Sequence, residues 1–350
     1  MSAPPLISVI IPFGDPRGRP EHLASWTRDQ TLPAEQFELI VVTPDLKPKR
    51  DAAIRSYLRP QDSLMTCDRA GAFACYAAGV KAARGSYLFF SEDHCLADPE
   101  CLEAAARFME DPAYVGASVR WRGINHTGVA KMEDLLAEHD SRQWSLPGHW
   151  NKLRIRGFIL LRDAYDQVGG LKPAYGAFAE ALLAAELHAK GYTIGSIAEA
   201  GVRHVNTYYL SEIFDNIWSY AWGESAYCDT HERNFCERYF AASTNLPSDP
   251  MVMKLRDVEL GRAGMLHRVR RTRRWAQLMV LGARIRFACW RYHPERRFAA
   301  FRDFQVRVME LAQATYRTHV LKRQTSVPTA SNEVKSIRIA HFSAKDRHAA

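Results

Sequence analysis

The sequence has no paired-cysteine motif and no long apolar run. Its seven cysteines (67, 75, 95, 101, 228, 236 and 289) are odd in number and include no Cys-x-x-Cys, which argues against a disulfide framework or a zinc knuckle and fits a reducing compartment. The longest uncharged stretch in the apolar part of the C-terminal region, Trp275 to Ala283, spans nine residues between Arg274 and Arg284. That is far short of the ~20 residues needed to cross a bilayer, so no transmembrane helix is expected. The opening MSAPPLISVIIPFGD has no basic segment before its apolar run and carries prolines at 4, 5 and 12, so it reads as a strand and not as a secretory signal. Internal repeats and low-complexity segments are also missing. Acid is scarce at one end: residues 251–350 hold 7 Asp and Glu against 22 Lys and Arg, whereas residues 1–250 hold 32 against 25. The formal net charge of +8 therefore divides into a body at −7 and a tail at +15, two parts suited to different partners.

What is present is enough to fold. With 350 residues, 47% hydrophobic and 25% charged, the chain can bury a sizeable core, as two domains or as one large domain with an extension. Leu6 to Phe13 and Phe37 to Thr43 are continuous apolar, β-rich runs, the pattern of strands covered on both faces. Pro20 to Gln30, Ala70 to Ala83 and Pro99 to Met109 suit helices, and Ser86 to Phe90 and Tyr114 to Trp121 suit further strands. Arg122 to Lys152 has no clear periodicity and is expected as a long functional loop. Leu153 to Leu161 resumes as a strand, Ala177 to Lys190 as a helix, and Tyr192 to Ile197 as a short strand. Val202 to Val205 leads into a helix capped by Ser211 and running to about Phe240. The alternation predicts an α/β fold with a mostly parallel sheet covered by helices on both faces, which binds ligands at the carboxyl ends of its strands.

Ser91-Glu92-Asp93-His94 directly follow the strand SYLFF. Carboxylates in that position either hold Mg²⁺ or Mn²⁺, which prefer hard oxygen ligands, or simply end the strand in solvent. Glu180 and Glu186 lie six residues apart on one helix, turned to different faces, and are not expected to act as a pair. His204 is either an imidazole ligand or phosphate contact, or a hydrogen-bonded structural histidine. His126, His139 and His149 show no ligand spacing and read as surface residues.

The order of these parts resembles glycosyltransferase family 2 over roughly residues 6–227: ISVIIPF, FELIVVT, a helix ending Ala83-Arg84-Gly85, SYLFF with its acidic turn, RGFILLRDAYDQVGGL, the Glu180 helix ending Lys190-Gly191-Tyr192, Val202-Arg203-His204, and Tyr220-Ala221-Trp222-Gly223-Glu224. The resemblance implies a GT-A fold over 1–245 and inverting transfer of a sugar from a nucleoside diphosphate sugar to an acceptor hydroxyl. It further implies a divalent metal, Mg²⁺ or Mn²⁺, held by Asp93 with His204 assisting. Ser91 and Glu92 stand in the family's Asp-x-Asp turn beside the nucleotide, Asp45 is a candidate nucleobase or ribose contact, and Glu180 inherits the role of general base. Acceptors in the family are saccharides or lipid-linked, so Trp144 and Trp150 in the long loop are candidates for stacking on sugar rings. The alternative is a degenerate, non-catalytic GT-A domain acting as a membrane- or partner-binding scaffold. A nucleotidyltransferase is disfavoured because no glycine-rich, Lys/Arg-bearing phosphate loop follows the first strand.

In the basic tail, six arginines fall within Arg262 to Arg274, followed by Trp275, Leu278, Leu281, Ile285 and Cys289 on one helical face. After His293-Pro294 a second stripe runs through Phe301, Phe304, Val308, Leu311 and Thr315. Residues 251–323 are expected as a basic helical region and 324–350 as a disordered tail, joined to the body by a linker over Asn245 to Pro250. The arginines are expected either in solvent on a helical hairpin or against an anionic membrane, near which each contributes ~1 kcal/mol. Nucleic acid is not expected, since no reading motif occurs and the acidic body repels a phosphate backbone. The expected location is cytoplasmic, including the inner face of the plasma membrane.

Overall fold

The computed structural model describes residues 4–68, 71–144, 149–240, 302 and 304–317. Eight strands form one sheet: β1 (Ile7–Pro12), β2 (Phe37–Thr43), β3 (Ser63–Thr66), β4 (Tyr87–Phe90), β5 (Cys95–Ala97), β6 (Gly116–Ile124), β7 (Phe158–Leu161) and β8 (Ile194–Val205). Their spatial order is β3-β2-β1-β4-β7-β6-β8-β5. The β3-β2-β1-β4 half and the β6-β8 pair are parallel, while β4-β7, β7-β6 and β8-β5 are antiparallel. The sheet is therefore mostly parallel, and β2, β1 and β4 all end at the same edge.

The apolar runs form the centre of this sheet because both faces are covered. Ile7, Val9 and Ile11 of β1 pack on one side with Leu39, Val41, Phe89, Trp26 and Leu102. Ile10, Leu88 and Phe90 pack on the other with Tyr76 and Leu183. Ser8 is the buried polar exception: its Oγ–H donates to Glu38 Oε1 at 2.7 Å, and Arg84 closes the pair onto Glu38 Oε2 at 2.7 Å. A buried carboxylate is tolerable here because it is both paired and hydrogen-bonded.

Helices α1 (Pro48–Arg55), α2 (Ala72–Ala82), α3 (Cys101–Phe108), α4 (Gly128–Trp144), α5 (Arg162–Gln167), α6 (Ala179–Ala189), α7 (Leu210–Cys228) and α8 (Arg233–Tyr239) follow the strands. Pro20–Trp26 forms a 3₁₀ turn and not the α-helix expected over Pro20 to Gln30. The stretch read as a featureless loop continues β6 to Ile124 and then forms α4. Its apolar stripe is weak because α4 turns acids inward: Asp134 accepts from the Gly123 N–H at 3.0 Å and from Asn125 at 2.9 Å. The strand expected from Leu153 is confined to β7, because a turn closed by the Gly157 N–H on the Arg154 carbonyl precedes it. The helix expected to run from Ser211 to Phe240 begins at Leu210, with Tyr209 in the cap position, and breaks into α7 and α8.

α7 crosses the 3₁₀ turn Pro173–Phe178 at very short range: a Cβ on Gly223 would stand 2.0 Å from the Tyr175 carbonyl oxygen. That turn leads directly into α6, so the Gly223 contact fixes the start of the Glu180 helix. Residues 304–317 are helical, with Phe304, Val308, Leu311 and Thr315 buried as their spacing predicts. Tyr316 packs edge-on against Trp222 of α7, with ring centroids 5.1 Å apart. The linker, the Arg262–Arg274 cluster, the first tail helix and residues 324–350 lie outside the described residues. Among the described residues no helix is long and apolar enough to cross a membrane.

Candidate active site

The turn between β4 and β5 carries the predicted residues, but it faces them in two directions. Ser91 is completely buried; its Oγ–H donates to the Arg156 carbonyl at 2.8 Å and its own carbonyl accepts from Tyr76 at 2.7 Å. Asp93 also points inward, toward the loop after β1. Its Oδ2 accepts the backbone N–H groups of Gly14 (2.8 Å) and Asp15 (3.0 Å), and its Oδ1 lies 3.0 Å from His94 Nδ1. The loop approaches so closely that a Cβ on Gly18 would stand 2.3 Å from the Asp93 carboxylate. Asp93 thus ties the first strand to the turn and orients the next side chain.

Glu92, partly exposed, and His94, buried, both meet His204. The meeting follows from sheet pairing, since β5 runs antiparallel to β8 with Cys95 opposite His204. The two Nε2 atoms of His94 and His204 stand 3.0 Å apart. Glu92 Oε2 lies 3.3 Å from His204 Nε2 and 3.6 Å from His94 Nε2. That oxygen is buried and, among the described residues, accepts no hydrogen bond. The opposite nitrogen of His204, Nδ1, is 2.6 Å from Asn206 Oδ1. Three ligand-type atoms therefore converge, and the set fits a divalent ion. A second trio, Asp15, Asp93 and His94, also brings its ligand atoms within 4.8 Å of one another. Its oxygens are already engaged: Arg17 forks Asp15 at 2.8 Å and backbone amides hold Asp93.

The electrostatics of the cluster are tightly linked. Burial would raise Glu92, but the charge on His94 and the proximity of His204 and Arg156 hold its carboxyl well below the usual range. Burial would lower His94, but Glu92 and Asp93 outweigh it and raise the imidazole. His204 is lowered to about 4, by burial first and then by the charge of Arg156.

Two guanidinium groups border this cluster. Arg17 reaches the Val205 carbonyl at 3.2 Å and Thr207 Oγ1 at 3.4 Å. Arg156 stacks 4.0 Å over the Trp121 ring and pairs with Glu133 of α4. Glu133 also accepts the Thr207 N–H at 2.8 Å. Neither arginine, nor Trp121, Glu133 or Asn206, was singled out from sequence. The available signals were Arg17 inside the Gly-Asp-Pro-Arg-Gly step after β1, and an Asn two residues beyond His204.

Glu180 sits in the first turn of α6, where its Oε2 accepts the Ile155 N–H at 3.1 Å and its Oε1 lies 3.8 Å from Arg154. Burial raises its carboxyl to about 7; Arg154 and the Ile155 N–H oppose the rise, and the charge on Glu92 adds to it. Glu186 points elsewhere, to Lys172, as the six-residue spacing required. Asp45 stands exposed beyond β2, bonded to Lys47 at 3.1 Å and Arg50 at 2.8 Å, at the same sheet edge but outside the cluster. His149 stacks on Trp150, whose ring packs against Tyr239 and Phe240.

The sequence profile described as glycosyl transferase family 2 matches residues 23–169. No curated protein sequence matches the chain. Among solved structures, the chain is similar to the mannosyltransferase PcManGT from Pyrobaculum calidifontis, solved in complex with GDP-Man and Mn²⁺, at 15% identity and TM-score 0.59, covering 92% of this chain and 89% of that one. That likeness shows the fold, which is GT-A. TarS from S. aureus aligns at 14% identity and TM-score 0.47, covering 72% of this chain and 48% of that one.

Proposed function

We propose, from the match of residues 23–169 to the glycosyl transferase family 2 profile, that the chain is a metal-assisted, inverting glycosyltransferase. It would use a nucleoside diphosphate sugar as donor and a saccharide or lipid-linked hydroxyl as acceptor. Glu92, His94 and His204 would hold the ion, Asp93 would orient His94, and Glu180 would act as general base. The observation that carries this reading is the convergence of the ligand-type atoms of Glu92, His94 and His204 at the carboxyl edge of the sheet; Glu180, raised by burial to about 7, is the carboxylate suited to the base role.

A bound divalent ion would offset the charge of the departing diphosphate, worth several kcal/mol in the transition state. The side chains supply the rest. Arg17 and Arg156 border the cluster and can share the diphosphate charge by releasing Asp15 and Glu133. Trp121 keeps the Arg156 guanidinium plane in place. Glu180, ionised above pH 7, can take the proton of the acceptor hydroxyl as the new bond forms on the face opposite the leaving group, which needs no covalent intermediate. Asp45 remains a candidate contact for the nucleoside, and the basic tail for an anionic membrane surface.

The test is a panel of nucleoside diphosphate sugars assayed for donor turnover, with thermal stability followed with and without Mn²⁺. One nucleotide should raise the apparent stability in a metal-dependent way, and Glu180→Gln should abolish transfer while keeping that shift. If no nucleotide changes stability and no donor is turned over, the catalytic reading fails and the scaffold alternative stands.

A further inference from the structure

Resting on the metal site just described, we propose that this centre selects an imidazole-binding transition ion of the Mn²⁺, Fe²⁺, Co²⁺ or Zn²⁺ class over Mg²⁺, and that Asn206 is the positioning residue that enforces the choice. The inference starts from the proton positions. A neutral imidazole carries one N–H, and its other nitrogen presents a lone pair. The side-chain amide of Asn206 is oriented by its own donors: Nδ2 donates to Asn125 Oδ1 at 2.8 Å and to the Ala130 carbonyl at 3.3 Å. Its Oδ1 therefore faces His204 Nδ1 at 2.6 Å and can only accept. His204 must carry its proton on Nδ1. Asp93 does the same for His94, because Oδ2 is filled by two backbone N–H groups and Oδ1 faces His94 Nδ1.

Both Nε2 lone pairs are thereby aimed at one point, with the orphaned Glu92 Oε2 as the third corner. Two neutral nitrogens and one carboxylate are a poor set for Mg²⁺, which takes oxygen ligands in near-ideal octahedral geometry and gives up its waters reluctantly. Imidazole donors suit the transition ions instead. The Asp93 oxygens that would suit Mg²⁺ are engaged, Oδ2 by two backbone N–H groups and Oδ1 by His94 Nδ1. The imidazoles and their partner are buried, with His94 3% exposed, His204 2% and Asn206 0%, while the Glu92 side chain stays 26% exposed. Asn206 touches neither ion nor substrate in this scheme; it acts through the tautomer and ring angle of His204, as outer-shell partners of metal-binding histidines do.

The test uses the full chain, stripped with a chelator, titrated calorimetrically with Mn²⁺, Co²⁺, Zn²⁺ and Mg²⁺ salts alone, with the visible spectrum of the Co²⁺ form recorded separately. Mn²⁺ or Co²⁺ should bind at least about tenfold tighter than Mg²⁺, and the Co²⁺ spectrum should show nitrogen ligation. Asn206→Ala should weaken Mn²⁺ affinity by about 10- to 100-fold, and Asn206→Asp, which keeps an acceptor toward Nδ1, should restore most of it. Equal affinity for Mg²⁺ and Mn²⁺, a Co²⁺ spectrum of oxygen ligands only, or a folded Asn206→Ala with unchanged affinity would overturn the proposal while leaving a metal site in place. Should Asn206→Ala not fold, the wild-type ion series and Co²⁺ spectrum decide alone. If none of the ions binds at all, the metal reading itself falls and takes this inference with it.

Discussion

Glu180→Gln should stabilise the protein at the same time as it removes activity, and the gain should depend on pH in a defined way. In the fold the Glu180 carboxyl is raised from 4.5 to about 7, chiefly by burial. The unfolded chain therefore releases this proton at lower pH than the folded one. Below pH 4.5 both states hold the proton and the group costs nothing. Between pH 4.5 and 7 only the unfolded state ionises, so wild-type stability falls as pH rises; above 7 both are ionised and the loss levels off. At 1.36 kcal/mol per pKa unit the plateau is about 3 kcal/mol, less whatever Arg154 loses when its partner becomes neutral. Glutamine cannot ionise, keeps an oxygen for the Ile155 N–H, and so escapes the penalty. Urea unfolding of both proteins at pH 5 and pH 8 measures it: the gap should be small at pH 5 and approach about 3 kcal/mol at pH 8, in favour of the variant. Wild-type transfer should rise through a single ionisation near pH 7, and the variant should lose the ~10²- to 10⁴-fold that a general base supplies. A stability gap that does not widen with pH would refute the burial argument, and a variant that retains full turnover would refute the role as base.

Arg156→Ala removes the cation over Trp121 and strands Glu133, so the KM for the donor should rise more than kcat changes, as steady-state kinetics at saturating acceptor would show. Glu38→Ala leaves Ser8 and the Arg84 contacts unmatched inside the sheet and should cost about 2–3 kcal/mol in urea unfolding, with donor affinity unchanged. Gly223→Ala places a methyl 2.0 Å from the Tyr175 carbonyl; it should cost about 1–3 kcal/mol and also lower kcat, because the displaced turn carries Glu180.

The central strands were legible because burial on both faces leaves a local trace: ISVIIP, FELIVVT and YLFF are apolar without interruption. Segments that border the site were not, for the opposite reason. α4 turns Glu133 and Asp134 toward the site where a core helix would place leucines, so its sequence carries only a weak apolar stripe. Arg154 and Arg156 interrupt the expected long strand before β7, where the chain turns to hold Glu180 and Trp121. The Glu92–His94–His204 convergence depends on Cys95 standing opposite His204 across two strands more than a hundred residues apart, a pairing that no short stretch of sequence encodes. Single residues such as Glu180 and His204 could be named from the resemblance; their partners Ile155, Arg154 and Asn206 could not.

Ser91 in the first place of the acidic turn looks, by pattern alone, like a lost ligand. The geometry argues otherwise. With Ser91 at 0% exposure and bonded to the Arg156 carbonyl, and Asp93 held by backbone N–H groups, the side chains of the turn that meet His204 are Glu92 and His94. An acid at position 91 would bring a carboxylate against that carbonyl in a fully buried place, at a cost of several kcal/mol. Ser91 is thus the residue that lets the turn present its ligands one position later than the Asp-x-Asp pattern. Ser91→Asp, which restores that pattern on paper, should lower the unfolding midpoint and leave Mn²⁺ affinity no higher than wild type. A stable Ser91→Asp protein with tighter metal binding and faster transfer would mean that the ligands are Ser91-side and Asp93-side after all, and that the Glu92 and His94 pair has been misassigned.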